Sequence, residues 1–215
     1  MPVPVEESLR QAWERHGNLI LALCGLVLAA ILAKGVWDYI VAHKEIETQA
    51  EYAACTTPEQ FRGFAANHPG HPLAGLAELN VADDAYSTAH YADAASGYDK
   101  AVADLPAGPF QSRAKLGLAM AQALSGKTSD AEAALRQIVD DPNQLKAIRC
   151  EAGYHLAGLA VAAGRTAEVQ KLAEQLLQID STSPFAERTF ALRSELPEEA
   201  APSPSAPSIK LPAKN

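Results

Sequence analysis

The chain has 215 residues, of which 48% are hydrophobic and 20% charged, with a formal net charge of −8. That is enough apolar material for a core in one or two domains. The negative balance argues against a nucleic-acid partner, because phosphate binding needs clustered Lys and Arg. Aromatic residues make up only 6% while alanine recurs throughout, which suits closely packed helices better than sheets built from β-branched and aromatic side chains. The expected fold class is all-α.

Residues 1–17 form a short N-terminal segment that mixes Arg10 and Arg15 with Glu6, Glu7 and Glu14. From Leu19 to Ala33 the chain carries no charge, and the twenty residues from Gly17 to Val36 are interrupted only by Asn18 and Lys34. Twenty helical residues rise about 30 Å, the thickness of a bilayer's hydrocarbon layer. Lys34 can reach the headgroups along its aliphatic stem. Trp37 and Tyr39 beyond it, with Trp13 on the other side, fall where an interfacial aromatic belt is expected. The spacing predicts one transmembrane helix over residues 18–40. A cleaved signal peptide is the first alternative, with Ile31 and Ala33 as a weak cleavage site, but the segment ahead of the apolar stretch lacks the short basic opening of such a leader. A buried core helix is the second. Charge does not orient the helix: Arg10 and Arg15 before it balance Lys34 and Lys44 after it. Cys24 lies inside the span. Cys55 and Cys150 are too distant in sequence to suggest a metal site or redox pair. They are read as two isolated buried thiols, with pairing left open to a fold that brings their Cα atoms within about 7 Å.

Residues 41–72 are expected to hold connecting and capping helices. Tyr39 to Ala54 contains no breaker and should continue the membrane helix. Pro58 starts a helix carrying Phe61 and Phe64, which Asn67-His68-Pro69-Gly70-His71-Pro72 terminates. Residues 73–195 show internal repetition. In Ala89-His90-Tyr91-Ala92-Asp93-Ala94-Ala95-Ser96-Gly97-Tyr98-Asp99-Lys100-Ala101, closing at Pro106, the small and aromatic residues fall on Ala89, Tyr91, Ala94, Tyr98 and Ala101. That is the spacing of the second half of a tetratricopeptide repeat. Ala82 and Ala94 are expected to let two helices approach closely, with Tyr98 filling the space toward the next pair. A second unit turns at Gly126, with Ala131, Leu135 and Ile138 in the matching places and Asp141-Pro142 as its stop. A third turns at Gly164, followed by Leu172, Leu176 and Ile179. The turns are 37 and 38 residues apart. Apolar Leu73, Leu76, Ala77, Leu79 and Val81 are predicted to crowd one face of their helix. Leu172, Leu176 and Ile179 should do the same against Gln170, Lys171, Glu174 and Gln178. Residues 196–215, rich in Pro, Ala and Ser, are expected to be a disordered tail. The architecture predicted is thus an N-terminal transmembrane helix followed by an α-solenoid of about three degenerate tetratricopeptide repeats.

An N-terminal anchor followed by such repeats resembles the bacterial family of ancillary SecYEG translocon subunits, whose repeat domain is shared with a periplasmic cell division coordinator. The resemblance is carried by H-P-L-A-G-L-A-E-L-N-V-A-D-D-A-Y at 71–86, by A-H-Y-A-D-A at 89–94 and by A-K-L-G-L-A-M-A-Q-A-L-S-G-K at 114–127. It implies a single-pass protein of the bacterial inner membrane with its repeat domain in the periplasm. The repeats would present a binding surface for translocon subunits, a membrane-bound chaperone of the prolyl isomerase type, or translocating clients. An envelope assembly or cell division factor using the same repeats, with self-association through an exposed last helix, is a second reading. A regulatory subunit of a membrane enzyme is a third.

Grooves of this superfamily are lined by the first helix of each pair. Mapping its positions selects Leu79, Asp83, Tyr86, Arg113, Leu116, Met120, Glu151 and Tyr154 as a mixed apolar and polar protein-binding trough. The Lys and Asn clamp of cytosolic chaperone adaptors is missing, since Leu79 and Asp83 occupy its first positions. No catalytic, cofactor or metal site is assigned, and the chain is read as a non-enzyme. His68 and His71 lack further ligands nearby. Asp83 and Asp84 point about 100° apart on a helix and are read as a solvated face. Gly126-Lys127-Thr128 lacks the first glycine of a phosphate loop, because position 121 is Ala121. His155, in an Ala- and Leu-rich helix, is read as a packed or groove histidine.

Overall fold

The computed structural model describes residues 5–196, and the secondary structure among them is entirely helical. The tail expected over 196–215 lies outside the described residues beyond Leu196, as do residues 1–4 of the N-terminal segment. The chain divides into two units after Cys55. Of the connecting and capping helices expected over 41–72, the continuation through Ala54 falls in the first unit and the helix begun by Pro58 in the second.

The first unit is a single helix, α1 (Val5–Ala54), 50 residues long. The expected continuation of the apolar helix through Ala54 is observed. It is long and apolar enough to cross a membrane, and none of its apolar window is buried. A helix that is apolar on every side needs a protein core or a bilayer around it. Charged residues pair one turn apart along it, Arg10 with Glu14 at 3.5 Å and Lys34 with Asp38 at 2.7 Å. Exposed pairs of this kind contribute about 0.3–0.5 kcal/mol each.

The second unit contains α2 (Pro58–Asn67), α3 (Pro72–Ser87), α4 (Tyr91–Asp104), α5 (Pro109–Leu124), α6 (Thr128–Asp140), α7 (Lys146–Ala162), α8 (Thr166–Ile179) and α9 (Pro184–Glu195). Four of these begin with proline, whose missing N–H and fixed φ suit the first turn. Thr57 and Gln60 close a capping box ahead of α2. His71, weighed above as a metal ligand, instead accepts the Leu73 N–H on Nδ1 at 3.1 Å and caps α3, while the His68 ring lies 4.5 Å from that of Phe64.

Within this unit each helix from α2 to α8 packs on the next, and α3 also meets α5, α5 meets α7 and α7 meets α9. This is the connectivity of stacked helix pairs. The three turns predicted at 89, 126 and 164 share one geometry. Ala89, Gly126 and Gly164 have φ of 63°, 87° and 71°. The N–H groups of His90, Lys127 and Arg165 then reach back to the carbonyls of Ala85, Gln122 and Ala160 at 2.8, 2.9 and 2.9 Å. That is a Schellman closure, in which a left-handed residue lets the last turn satisfy its own carbonyls. Glycine adopts this conformation freely, whereas Ala89 carries its Cβ into it at a steric cost.

The core is built from small residues. Ala74, Ala77, Ala82, Ala94, Ala101, Ala114, Ala119 and Ala121 are fully buried. Glycine extends the principle beyond the expected Ala82 and Ala94: a Cβ on Gly97 would stand 2.9 Å from the Ala82 Cβ, and one on Gly117 would stand 2.6 Å from the Tyr98 ring. Tyr98 thus fills the space between its own pair and α5, as its position predicts. In the third pair, a Cβ on Gly153 would meet Leu176 at 2.5 Å. Fully buried Leu135, Leu156 and Leu176 join this second core, each contributing about 1.5–3 kcal/mol by leaving water. The prediction of one apolar face for α3 falls short. Ala74, Gly75, Ala77, Glu78, Leu79, Val81 and Ala82 are all buried, because α2, α4 and α5 cover several sides of the helix.

Polar side chains finish the helix ends. Gln111 donates to the carbonyls of Val102 and Leu105 at the end of α4 at 3.1 and 2.9 Å, and Arg149 donates to Val139 near the end of α6 at 2.8 Å. Both satisfy carbonyls that a helix leaves open at its C-terminus. Arg165 forks onto both oxygens of Glu132 and also meets Glu168, which pairs in turn with Arg136, tying the Gly164 turn to α6. The three cysteines are free. Cys150 is buried as expected, with its thiol pushed up chiefly by that burial. Cys55 is only half-buried, its thiol 3.4 Å from the Glu51 carbonyl just beyond the end of α1. It does not belong to a core as the sequence reading had it.

Candidate functional site

The contacts of α3 with α5 and of α5 with α7 place the first helices of the successive pairs side by side. Between them runs a trough of about 360 Å³. Of the eight residues selected from the sequence, six line it together: Asp83 and Tyr86 from α3, Arg113, Leu116 and Met120 from α5, and Glu151 from α7. Tyr154 lines an adjoining hollow of about 340 Å³ that shares Met120 and His155 with the trough and is also lined by Leu192 of α9. Leu79 does not reach the trough. It is buried at 4% exposure with Ala82, Ala94 and Tyr98, because the close packing of α3 on α4 turns that position inward.

Three further residues line the trough that the mapping did not select: Tyr98, Gly117 and His155. Tyr98 was assigned to packing alone, and it does both, since its ring fills the core and its hydroxyl emerges at the trough. Gly117 carries a sequence signal, a lone glycine inside a helical pattern one turn after Arg113, which marks a close approach. Removing the side chain there is what lets the Tyr98 ring sit against α5.

The polar groups of the trough are mostly engaged with one another. The Tyr98 hydroxyl donates to Asp83 Oδ1 at 2.8 Å and Arg113 Nη2 donates to Asp83 Oδ2 at 2.6 Å. Asp83 thus joins α3, α4 and α5, which replaces its reading as part of a solvated face. Asp84 remains exposed. Burial, and then the neighbouring Asp83 carboxylate, push the Tyr98 phenol well above its ordinary value, so it stays a donor at physiological pH. The Tyr86 ring lies 6.4 Å from that of Tyr98 and 5.5 Å from that of Tyr91, edge to face in both cases.

Across the trough, α7 presents Glu151 and, one turn later, His155. Burial pushes the Glu151 carboxyl up, with Arg113 opposing, and burial pushes the His155 imidazole down. His155 is therefore neutral at pH 7. Tyr154 packs its ring 5.9 Å from Phe185 of α9 and 5.5 Å from His155. The surface combines aromatic rings, a thioether, the paired Asp83 and Arg113, and the carboxyl of Glu151. That composition suits binding a side-chain-rich segment. Among the described residues, no group of three or more His, Cys, Asp or Glu side chains is gathered to hold a metal ion.

A larger hollow of about 550 Å³ opens among α2, α3 and α4, lined by both signs of charge, including Arg62, Lys100, Glu78 and Asp84. Lys100 already meets Glu78 there at 3.4 Å.

A comparison with curated proteins returns no match. The family model described as a tetratricopeptide repeat-like domain matches residues 10–144, a stretch that takes in most of α1 and runs through the first two helix pairs. The third pair, α7 and α8, lies beyond the match, yet it repeats the Schellman turn and the glycine-to-large-residue contact of the pairs before it. With its stacked pairs and more than half of its length matched, the chain belongs to the tetratricopeptide repeat-like domain family.

Proposed function

We propose that the chain is a membrane-anchored scaffold of the bacterial inner membrane, held by residues 18–40 of α1, whose repeat domain over residues 73–195 binds proteins on the periplasmic side. Tetratricopeptide repeat-like domains are protein-interaction scaffolds, and the observation that carries the reading here is the trough along α3, α5 and α7. Its aromatic and thioether lining matches the composition of protein-binding surfaces. Its engaged polar groups hold side chains in place, and the reading assigns the trough no catalytic role. The unburied apolar stretch of α1 supports the anchor. The sequence resemblance to ancillary SecYEG subunits supports the finer assignment, in which the partners are translocon subunits, a periplasmic chaperone or translocating clients.

The test is crosslinking in intact cells, purification of the full chain in mild detergent and identification of the proteins that accompany it. Recovery of translocon subunits and periplasmic chaperones is expected. It should disappear on deletion of residues 56–195 while α1 still fractionates with the membrane. Recovery of division or wall-synthesis proteins, or stoichiometric recovery of a membrane enzyme, would keep the scaffold and replace its partner. Unchanged recovery after the deletion would overturn a repeat-mediated role.

A further inference from the structure

Asp83, Arg113 and Glu151 line the trough, and the first two are already matched. Both oxygens of Asp83 are occupied, one by the Tyr98 hydroxyl and one by Arg113. Arg113 is thereby committed to Asp83, so it is poorly placed to receive an anion. Glu151 differs. It lines the trough from the opposite wall and feels Arg113 at a distance, with neither a hydrogen bond nor an ion pair to any described residue. Its half-buried position already disfavours the ionised form. A carboxylate placed this way is stabilised by an incoming cation more than a solvated one would be, because less water has to be displaced to reach it.

The surroundings of Glu151 narrow the ligand further. His155, one turn along α7, is kept neutral by burial and so adds no competing positive charge. Leu116 and Met120 provide apolar contact on the facing helix, and Met adapts its shape to varied side chains. Tyr86 lines the trough and Tyr154 the adjoining hollow, adding aromatic surface beside these residues. The chain as a whole carries a net charge of −8, which favours approach of a basic segment.

Building on the groove reading above, we propose that the trough selects protein segments in which an apolar side chain is flanked by a lysine or arginine, and that Glu151 is the specificity-determining residue that receives the cation. The apolar side chain lies on Leu116 and Met120, and the ammonium or guanidinium group replaces the missing partner of Glu151. Segments with an acidic residue at that place meet an unscreened carboxylate and are rejected. A terminal carboxylate is disfavoured for the same reason, since the one nearby cation is held by Asp83.

The test uses the full chain in lipid nanodiscs, with empty nanodiscs as the control. The probes are three fluorescein-labelled nonapeptides of Ser, Gly and Leu that differ only in a central lysine, norleucine or glutamate. Fluorescence anisotropy should give the order lysine, norleucine, glutamate, with at least about tenfold between the first and last. In Glu151→Gln the lysine and glutamate peptides should converge, and in Glu151→Lys their order should reverse, with circular dichroism melting showing each variant folded. Equal binding of the three peptides to the unaltered chain, or a lysine preference that survives Glu151→Gln, would overturn the role of Glu151 and leave the groove reading standing. Failure of all three peptides to bind the folded chain would overturn the groove reading and the inference together.

Discussion

Leu26 in α1 and Leu156 in α7 sit in helices of similar composition, rich in Ala and Leu, yet one is 71% exposed and the other fully buried. The two units use the same side chains under opposite rules. In α1 the apolar residues run around the whole helix, and the helix forms no core within its own unit. In the repeats, apolar residues alternate with polar ones on a helical period, and alanines and glycines at the contact points bring neighbouring backbones together. The lesson is that the amount of hydrophobic surface says little about where a helix resides. The size and periodicity of the side chains decide whether a neighbouring helix can cover it.

The same substitution in both units separates the two rules most sharply. Leu156→Ala should lower the stability of the repeat unit by about 2–5 kcal/mol, because it opens a cavity in a site with little freedom to collapse. Leu26→Ala should leave the thermal unfolding transition of the repeats unchanged. Loss of the transition's sensitivity at Leu156 would break the comparison. A smaller effect is expected at the contact points: Gly153→Val puts a side chain where Leu176 lies 2.5 Å away, and should cost about 1–3 kcal/mol in chemical denaturation. Gly25 has nothing within 4 Å of its added Cβ, so Gly25→Val should have no such effect on the repeats.

The turns give a comparison within the repeat unit. Gly126→Ala should destabilise by about 1 kcal/mol, since alanine must then adopt the left-handed conformation that glycine adopts freely. Ala89→Gly should shift stability the other way by a few tenths to about 1 kcal/mol, relieving the same strain at the equivalent position. Equal signs for the two substitutions, read from melting temperatures, would show that the turns are not equivalent.

The smallest expected effect belongs to the trough. The carboxyl of Glu151 is raised above the ordinary glutamate value of 4.5. Its favourable contribution to the fold is therefore complete below 4.5 and is lost as pH rises through the raised value. Glu151→Gln should melt slightly higher than the unaltered chain at pH 7, and the difference should close toward pH 4. His155 works in the opposite sense: its lowered value means that its contribution is present above 6.5 and fades as pH falls. Glu151→Gln in a His155→Phe background isolates the first effect. A difference that stays constant between pH 4 and 7 would show that Glu151 is not held out of water by its position.

Much of the helical architecture is legible in local residues. Pro58 and Pro72 mark helix starts, Gly126 and Gly164 mark turns, and the Ala94, Tyr98 and Ala101 spacing marks a packed pair. These signals are local because they act through backbone torsion and the missing N–H of proline. The trough was less legible. Six of its residues follow from the motif's spacing, but Leu79 has the same place in that spacing and lies in the core. No pattern along one helix reveals how close the next will come. Asp83 could not be told from Asp84 by sequence, because the Tyr98 hydroxyl and the Arg113 guanidinium that claim it lie 15 and 30 residues away. Gln111 and Arg149 escaped notice for the same reason: the carbonyls they satisfy belong to the preceding helix.

By itself the sequence determined that this is a helical protein with one apolar helix of membrane length, and it set the turns at 89, 126 and 164. Proline, glycine and unbroken apolar runs act over a few residues and need no partner to take effect. Only the tertiary structure decided which residues of α3, α5 and α7 face the trough. It also decided that Asp83 and Arg113 satisfy each other, and that Glu151 finds no hydrogen bond or ion pair among the described residues. Those outcomes depend on helix separation, which is set where a glycine meets a residue of another helix, at Gly97 against Ala82, Gly117 against Tyr98 and Gly153 against Leu176. A shift of about one ångström at any of these contacts would rearrange the hydrogen bonds that define the site.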